Sequence, residues 1–231
     1  MLQHPLLPFG VATVAEYCAT ILDAAAAAHG RAVFAVPGGR SPGPIISELA
    51  GMIDSFLRQR LHLIWVDERA VPKNHSDRND AAILAAWDAG GPRPLGVHPM
   101  PAEADDLEAA AEAYCATLRQ LKADQGPDLT LLGIGEDGHF ASCFPAHAGL
   151  GELGPVFAVY DSPKPPPRRL SLALPVIAGS THLVVLALGH DKGLRIREAL
   201  RAEDCNNPVS LLPGSRCRVF CDDAALAAAV T

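Results

Sequence analysis

Short apolar runs recur along the chain: AVFAVPGG, LHLIWVDE, LTLLGIG, PVFAVYD, LSLAL, HLVVLALG and RVFCDD. Most are continuous rather than alternating, the mark of strands buried on both faces in a parallel sheet covered by helices. Helical stretches separate them. Residues 11–29 are alanine-rich, and EADDLEAAAEAYCATLRQLKA carries acids at its start and bases at its end, which suits the helix dipole. Shorter helices are predicted over 44–59, 79–88, 191–202 and 222–230. Strands alternating with helices give an α/β class, a three-layer and mainly parallel sheet with helices on both faces. In such sheets ligands collect at the carboxyl ends of the strands, so the loops after AVFAV, LIWV and LTLLGIG should share one edge.

Those three loops carry nearly all the unusual residues. PGGRSPG, residues 37–43, contains the G-x-S-x-G letters of a serine-hydrolase elbow. An elbow needs the backbone N–H of the residue after its serine, and here that residue is Pro42, which has none. The alternative is a phosphate cradle: Ser41 as N-cap, Pro42 at the first helical position, and Gly38, Gly39 and Arg40 aiming amides and charge at an anion. A second pattern, Gly133 to Gly138, fits G-x-G-x-x-G, with Asp161 about where a ribose-binding acid is wanted. It places Glu136 and Asp137 where a pyrophosphate should sit, which is electrostatically unfavourable. The same loop reads better as a hook in which Asp137 orients His139 as a general base. The third loop, VDERAVPKNHSDRND, offers Asp67, Glu68, His75, Asp77 and Asn79, a set that could hold a divalent metal, although no regular ligand spacing is present. Arg69 in that loop is then a cation available to a phosphate.

Composition narrows the field. The chain has 231 residues, 49% of them hydrophobic, and a net charge of -7 with a pI near 5.7. Such a chain buries a substantial core and has no general attraction for nucleic acid or an anionic membrane, so an anionic ligand requires a local cationic cluster. MLQHPLLPFG lacks the basic start and apolar core of a signal peptide, and no stretch of about 18 apolar residues is expected to span a bilayer, which points to the cytoplasm. Six scattered cysteines read as free, mostly buried thiols. SPKPPPRR reads as a stiff surface loop.

Taken together, GGRSP, WVDERAVPKNHSDRN, LTLLGIGEDGHFASCFP, PKPPPRRLSLALPVI and GHDK resemble the ordered motifs of the 6-phosphogluconolactonase family over most of the chain, from about residue 33 to 213. The resemblance implies a single domain over residues 1–231, a fold shared with glucosamine-6-phosphate deaminases, no metal or organic cofactor, and hydrolysis of 6-phosphogluconolactone to 6-phosphogluconate in the oxidative pentose phosphate pathway. It implies a sugar-phosphate lactone as partner, in a monomer or small homo-oligomer. By position, Gly38, Gly39, Ser41 and Arg69 match the family's phosphate-side loops and His139 its base. Arg169 and Lys192 match basic positions near the phosphate, and Asp67 and His75 polar positions around the sugar. Pro37, Arg78, Phe140 and Cys143 depart from the usual residues. Two rivals remain at this point: a deaminase or isomerase for amino sugar phosphates using Asp67 as a carbon base, and a non-catalytic sugar-phosphate sensor.

Overall fold

The computed structural model describes residues 6–231, so part of the stretch read for a signal peptide lies outside it. In chain order the elements are β1 (Leu7–Pro8), α1 (Val11–His29), β2 (Ala32–Val36), α2 (Pro42–Met52), α3 (Ser55–Arg58), β3 (Leu61–Trp65), β4 (Asp67–Arg69), α4 (Asn79–Gly90) and β5 (Gly96–His98). They continue with α5 (Leu107–Gln120), β6 (Leu129–Gly133), β7 (Val156–Val159), β8 (Arg169–Leu172), α6 (Leu174–Ala178), β9 (His182–Ala187), α7 (His190–Ala199), β10 (Cys217–Cys221) and α8 (Asp223–Val230).

Seven strands form one all-parallel sheet in the order β1-β10-β9-β6-β2-β3-β5. From β2 the chain steps outward through β3 to β5, then returns to place β6 on the other side of β2. Helices α1, α2 and α4 pack side by side, α1 on α2 and α2 on α4, and the right-handed crossover rule assigns α5 and α7, whose connections run the opposite way along the sheet, to the other face. The unbroken runs follow from this layering: all five residues of β2 are buried. The pair β2 and β6 is the topological switch point, and the crevice beyond their carboxyl ends is where such a sheet accepts a ligand.

Three expectations are corrected. LHLIWVDE is two strands, because Val66 donates to Val36 O at 3.0 Å and accepts from Leu172 N at 2.8 Å, handing the chain from the main sheet to a second one. That second sheet, β4-β8-β7, is antiparallel and takes PVFAV and LSLAL, so those apolar runs do not join the parallel sheet. The helix expected over 44–59 breaks at Ile53, which is extended, and Asp54 caps α3 by accepting from Leu57 N.

The fourth correction concerns α1, which is long and apolar enough by composition to cross a bilayer. Its buried residues, the adjacent Val14 and Ala15 and then Cys18, Leu22 and Ala26 at steps of three to four, form the stripe of a helix packed on a core. Alanine supplies the apolar average without a continuous greasy surface. The edge strands β1 and β5 are too short to have shown as apolar runs.

All six cysteines are free; five are buried and Cys205 is exposed. Burial pushes the thiols of Cys18, Cys143 and Cys217 up to about 12. A maleimide at neutral pH should therefore label the folded protein once, at Cys205, with further labels appearing only on unfolding. Mass spectrometry of the labelled chain checks this.

Candidate functional site

A cleft of about 250 Å³ opens at the switch point. Its floor is the turn after β2, residues 37–42; one wall comes from β4 and β8, the other from the loop after β6, and Lys192 enters from α7. Of the residues singled out from sequence, Gly38, Gly39, Arg40, Ser41, Asp67, Arg69, His139, Arg169 and Lys192 all line it. His75 does not: it belongs to the exposed 70s turn, where its Nδ1 accepts from Asp77 N at 3.2 Å. His75 is thus not among the residues that the structure brings together in the cleft.

The loop after β6 is built around its histidine. Gly135 N donates to His139 O at 2.8 Å and Gly138 N to Gly135 O at 3.0 Å, closing a tight turn that Gly138 enters with φ 82°. No helix follows it; the next regular segment is a single 3-10 turn at 148–151, so the dinucleotide pattern lacks the helix it needs. Asp161, its supposed ribose ligand, pairs with His147 Nε2 at 2.9 Å. His139 Nδ1 meets Asp137 Oδ1 at 2.5 Å. A carboxylate only accepts, so Nδ1 carries the hydrogen and the neutral ring keeps its lone pair on Nε2. The ring rests 4.9 Å from the Phe144 ring. Burial would raise the Asp137 carboxyl, but the hydrogen bond and charge of His139, joined by Lys164, hold it below the usual carboxylate range.

Gly135 makes this arrangement possible. A Cβ there would stand 2.2 Å from His139 Nδ1 and 2.6 Å from Asp137 Oδ1. Gly135→Ala should therefore displace the imidazole and cut turnover about 10-fold or more while the fold survives, since misplacing a reacting group by about 1 Å is costly. Circular dichroism beside an initial-rate measurement separates the two effects.

The opposite wall is a polar lattice. Asp67 is buried; its Oδ2 accepts from Ser142 Oγ at 2.9 Å, its Oδ1 and backbone carbonyl accept from Asn79 Nδ2 at 3.3 and 2.9 Å, and Arg169 lies 3.6 Å away. Asn79 reaches the cleft only because Gly38 has no side chain, since a Cβ there would lie 1.7 Å from Asn79 Oδ1. Arg69 lines the cleft and donates to Asp77 O at 2.8 Å, while its Nε is buried without a hydrogen-bond partner among the described residues. Arg169 is less free than its position in the sequence suggests. Its Nε and Nη2 are spent on the carbonyls of Pro166, Lys164 and Pro165, and its Nη1 is the atom that stands 3.6 Å from Asp67 Oδ2.

Ser41 is not the helix cap expected of it. Its backbone is helical, at φ -71° and ψ -34°, and its side chain makes no capping bond. Pro42 and Pro44 remove N–H groups from the first turn, so little remains for a cap to satisfy. The hydroxyl is thereby left to the cleft.

Glu68, read as a possible metal ligand, is instead a buried anchor. Its oxygens accept from the backbone N–H of Arg69, Asn79 and Asp80 at 2.7 to 2.8 Å, fastening the start of α4 to β4. Arg78 closes this anchor, buried among Glu68, Asp80 and Glu103. No three His, Cys, Asp or Glu side chains among the described residues are placed to hold a metal ion. Ser142, Phe144 and Lys164 were not assigned to the site from sequence, and Asn79 entered only as one of a possible metal-binding set. Their roles depend on partners 12 to 75 positions away or on ring stacking, and only Asn79 had a local signal, its place in the acidic loop.

A family model described as glucosamine-6-phosphate isomerases/6-phosphogluconolactonase matches residues 10–220. The chain is 37% identical to a 6-phosphogluconolactonase of Streptomyces coelicolor, over 82% of this chain and 77% of that one. It is 36% identical to that of Mycobacterium tuberculosis, over 87% and 84%. Among solved structures, a 6-phosphogluconolactonase from Thermotoga maritima superposes with a TM-score of 0.83 at 26% identity, covering 94% of this chain and 97% of that one. A monomeric glucosamine-6-phosphate deaminase shares the fold, with a TM-score of 0.78 at 18% identity, covering 97% and 100%.

Proposed function

Because the chain belongs to the glucosamine-6-phosphate isomerase/6-phosphogluconolactonase family, we propose that it hydrolyses 6-phosphogluconolactone to 6-phosphogluconate, with His139 as the base. The observation that carries this reading is an imidazole fixed by a carboxylate at Nδ1, standing in one cleft with four cations, Arg40, Arg69, Arg169 and Lys192. The net charge is -7, so a local cluster of this sign marks an anion site rather than a general surface property.

In this mechanism the phosphate is held by the Arg69 guanidinium, Lys192 and the turn at Gly38 and Gly39. That grip orients the ring so that C1 faces His139, converting a bimolecular attack into a positioned one. Nε2 takes a proton from water as its oxygen bonds to C1. The tetrahedral intermediate then collapses with cleavage of the bond to the ring oxygen, which receives the proton from Nε2. Asp137 keeps Nδ1 protonated and stabilises the transient imidazolium. Water is consumed, a hydroxyl and a carboxylic acid form, and the acid ionises. The pathway implied is the oxidative pentose phosphate pathway, whose dehydrogenase step makes this lactone.

The amino-sugar rival needs Asp67 free to take a proton from carbon. Ser142, Asn79 and Arg169 already occupy that carboxylate, which favours the lactonase reading. The deciding assay generates the lactone in place with glucose-6-phosphate dehydrogenase and follows acid release. Acceleration above the spontaneous rate supports the proposal; ammonia release from glucosamine 6-phosphate without such acceleration would reverse it, and binding of 6-phosphogluconate with no acceleration would indicate a sensor. Arg69→Ala should raise KM about 10-fold or more with a smaller change in kcat, read from the same assay, because it removes a charge-assisted contact to a group that does not react.

A further inference from the structure

Behind His139 the polar chain continues past Asp137. The second carboxylate oxygen of Asp137, Oδ2, lies 3.6 Å from Lys164 Nζ. Lys164 does not line the cleft and its side chain is half exposed, and an exposed ion pair of this kind is ordinarily worth little because two flexible side chains must be ordered to form it. Here the arm that carries the ammonium is already ordered. Ser162 Oγ donates to Lys164 O at 2.8 Å and accepts from Lys164 N at 3.2 Å. The buried Arg169 guanidinium then ties down three successive carbonyls, those of Lys164, Pro165 and Pro166, at 3.0 to 3.1 Å. Arg169 also stands 5.4 Å over the Phe144 ring, whose own neighbour is the His139 ring. One buried arginine thus anchors both the backing of the imidazole and the loop that presents Lys164.

We propose that Lys164 is a positioning residue for the hydrolysis, holding Asp137 Oδ2 so that Oδ1 stays on His139 Nδ1 and offsetting part of the carboxylate charge that the imidazole feels. The proposal rests on the reading of His139 as the base. Without the ammonium, Asp137 can rotate, and its full charge favours imidazolium, which has no lone pair with which to take a proton from water. The other charged groups around this pair are Asp67 and Arg69 from β4, Arg169 from β8, Lys192 from α7, the neighbouring Glu136, and Arg195, which donates to Glu136 O at 3.0 Å. Among the described residues only His139 and Lys164 form ion pairs with Asp137.

The test compares Lys164→Met and Lys164→Arg with the native protein by NMR titration of the His139 ring, identified by its loss in His139→Gln, and by kcat and KM across pH. In Lys164→Met the imidazole should titrate about half a pH unit higher, as expected for losing one partly screened positive charge nearby. On the acid side kcat should fall about three-fold, the same shift expressed as a fraction of neutral ring, with KM within two-fold. Lys164→Arg should restore both. An unmoved titration with native kcat would overturn the proposal, as would a raised KM at native kcat, which would make Lys164 a substrate contact. If the native protein fails to accelerate lactone hydrolysis, the functional reading falls on its own. If it does accelerate it while the His139 titration is the same in Lys164→Met, the positioning role falls alone.

Discussion

His139→Gln should lower kcat by about 10²- to 10⁴-fold while KM stays within a few-fold, the loss expected when a positioned general base is removed and the substrate grip is left intact. Glutamine keeps a polar side chain in the turn, so the hydrogen bond of Gly135 N to the residue's carbonyl need not change. The outcome that would sink the assignment is a variant with native kcat after the spontaneous rate is subtracted. Asp137 titrates below the ordinary carboxylate range, so it stays charged throughout pH 5–8. A change of rate in that interval therefore does not come from Asp137 losing its charge, and a flat profile would count against a histidine base.

Arg78→Ala should give the largest loss of stability. Arg78 is 2% exposed and sits against three carboxylates, those of Glu68, Asp80 and Glu103, and donates to Met100 O as well. Removing one partner from a buried ionic cluster leaves uncompensated charge and costs about 3–5 kcal/mol. For a chain of this size that lowers Tm by roughly 10 °C. The loss should depend on pH, and its sign follows from Glu68. Burial, the largest influence on it, pushes the Glu68 carboxyl up to about 7, against three backbone N–H donors and Arg78. A carboxyl with a folded value above its unfolded one binds more protons folded than unfolded in between, so its contribution falls as pH rises from about 4.5 towards 7. Without Arg78 the folded value rises further and the window widens upward. The deficit of Arg78→Ala should therefore be smaller at pH 6 than at pH 8. Thermal melts of both proteins at the two pH values test this; an equal or larger deficit at pH 6 would show that Glu68 is not the group responsible. Because Glu68 fastens Arg69 and Asn79, weaker substrate binding should accompany the loss.

The cleft was legible in the chain to the extent that its residues sit in loops after apolar runs. Gly38, Arg69 and His139 were found because each follows a strand whose unbroken apolar character announces burial on both faces, and strand ends in a parallel sheet converge on one edge. His75 was misplaced for the complementary reason: it shares a loop with Arg69, but that loop is long enough to carry it away from the cleft into solvent. Ser41 was expected to cap because the letters allow it, and the prolines around it, read as favourable for a helix start, had removed most of the donors a cap serves.

Periodicity and the order of motifs by themselves determined the α/β class, the edge of the sheet where the cleft opens and the histidine-carboxylate pair, since each rests on neighbours within a few residues or on the two-sided burial of a strand. Only the tertiary structure decided that LHLIWVDE divides between two sheets, that Arg169 is mostly spent on its own loop, that Glu68 is a structural anchor rather than a metal ligand, and that Lys164 stands behind Asp137. The physical reason is the same in each case. A charged group's role is set by which partners reach it through space. Two of these, the Arg169 to Asp67 pair and the Lys164 to Asp137 pair, join residues 102 and 27 positions apart, which no local pattern of polar and apolar letters records.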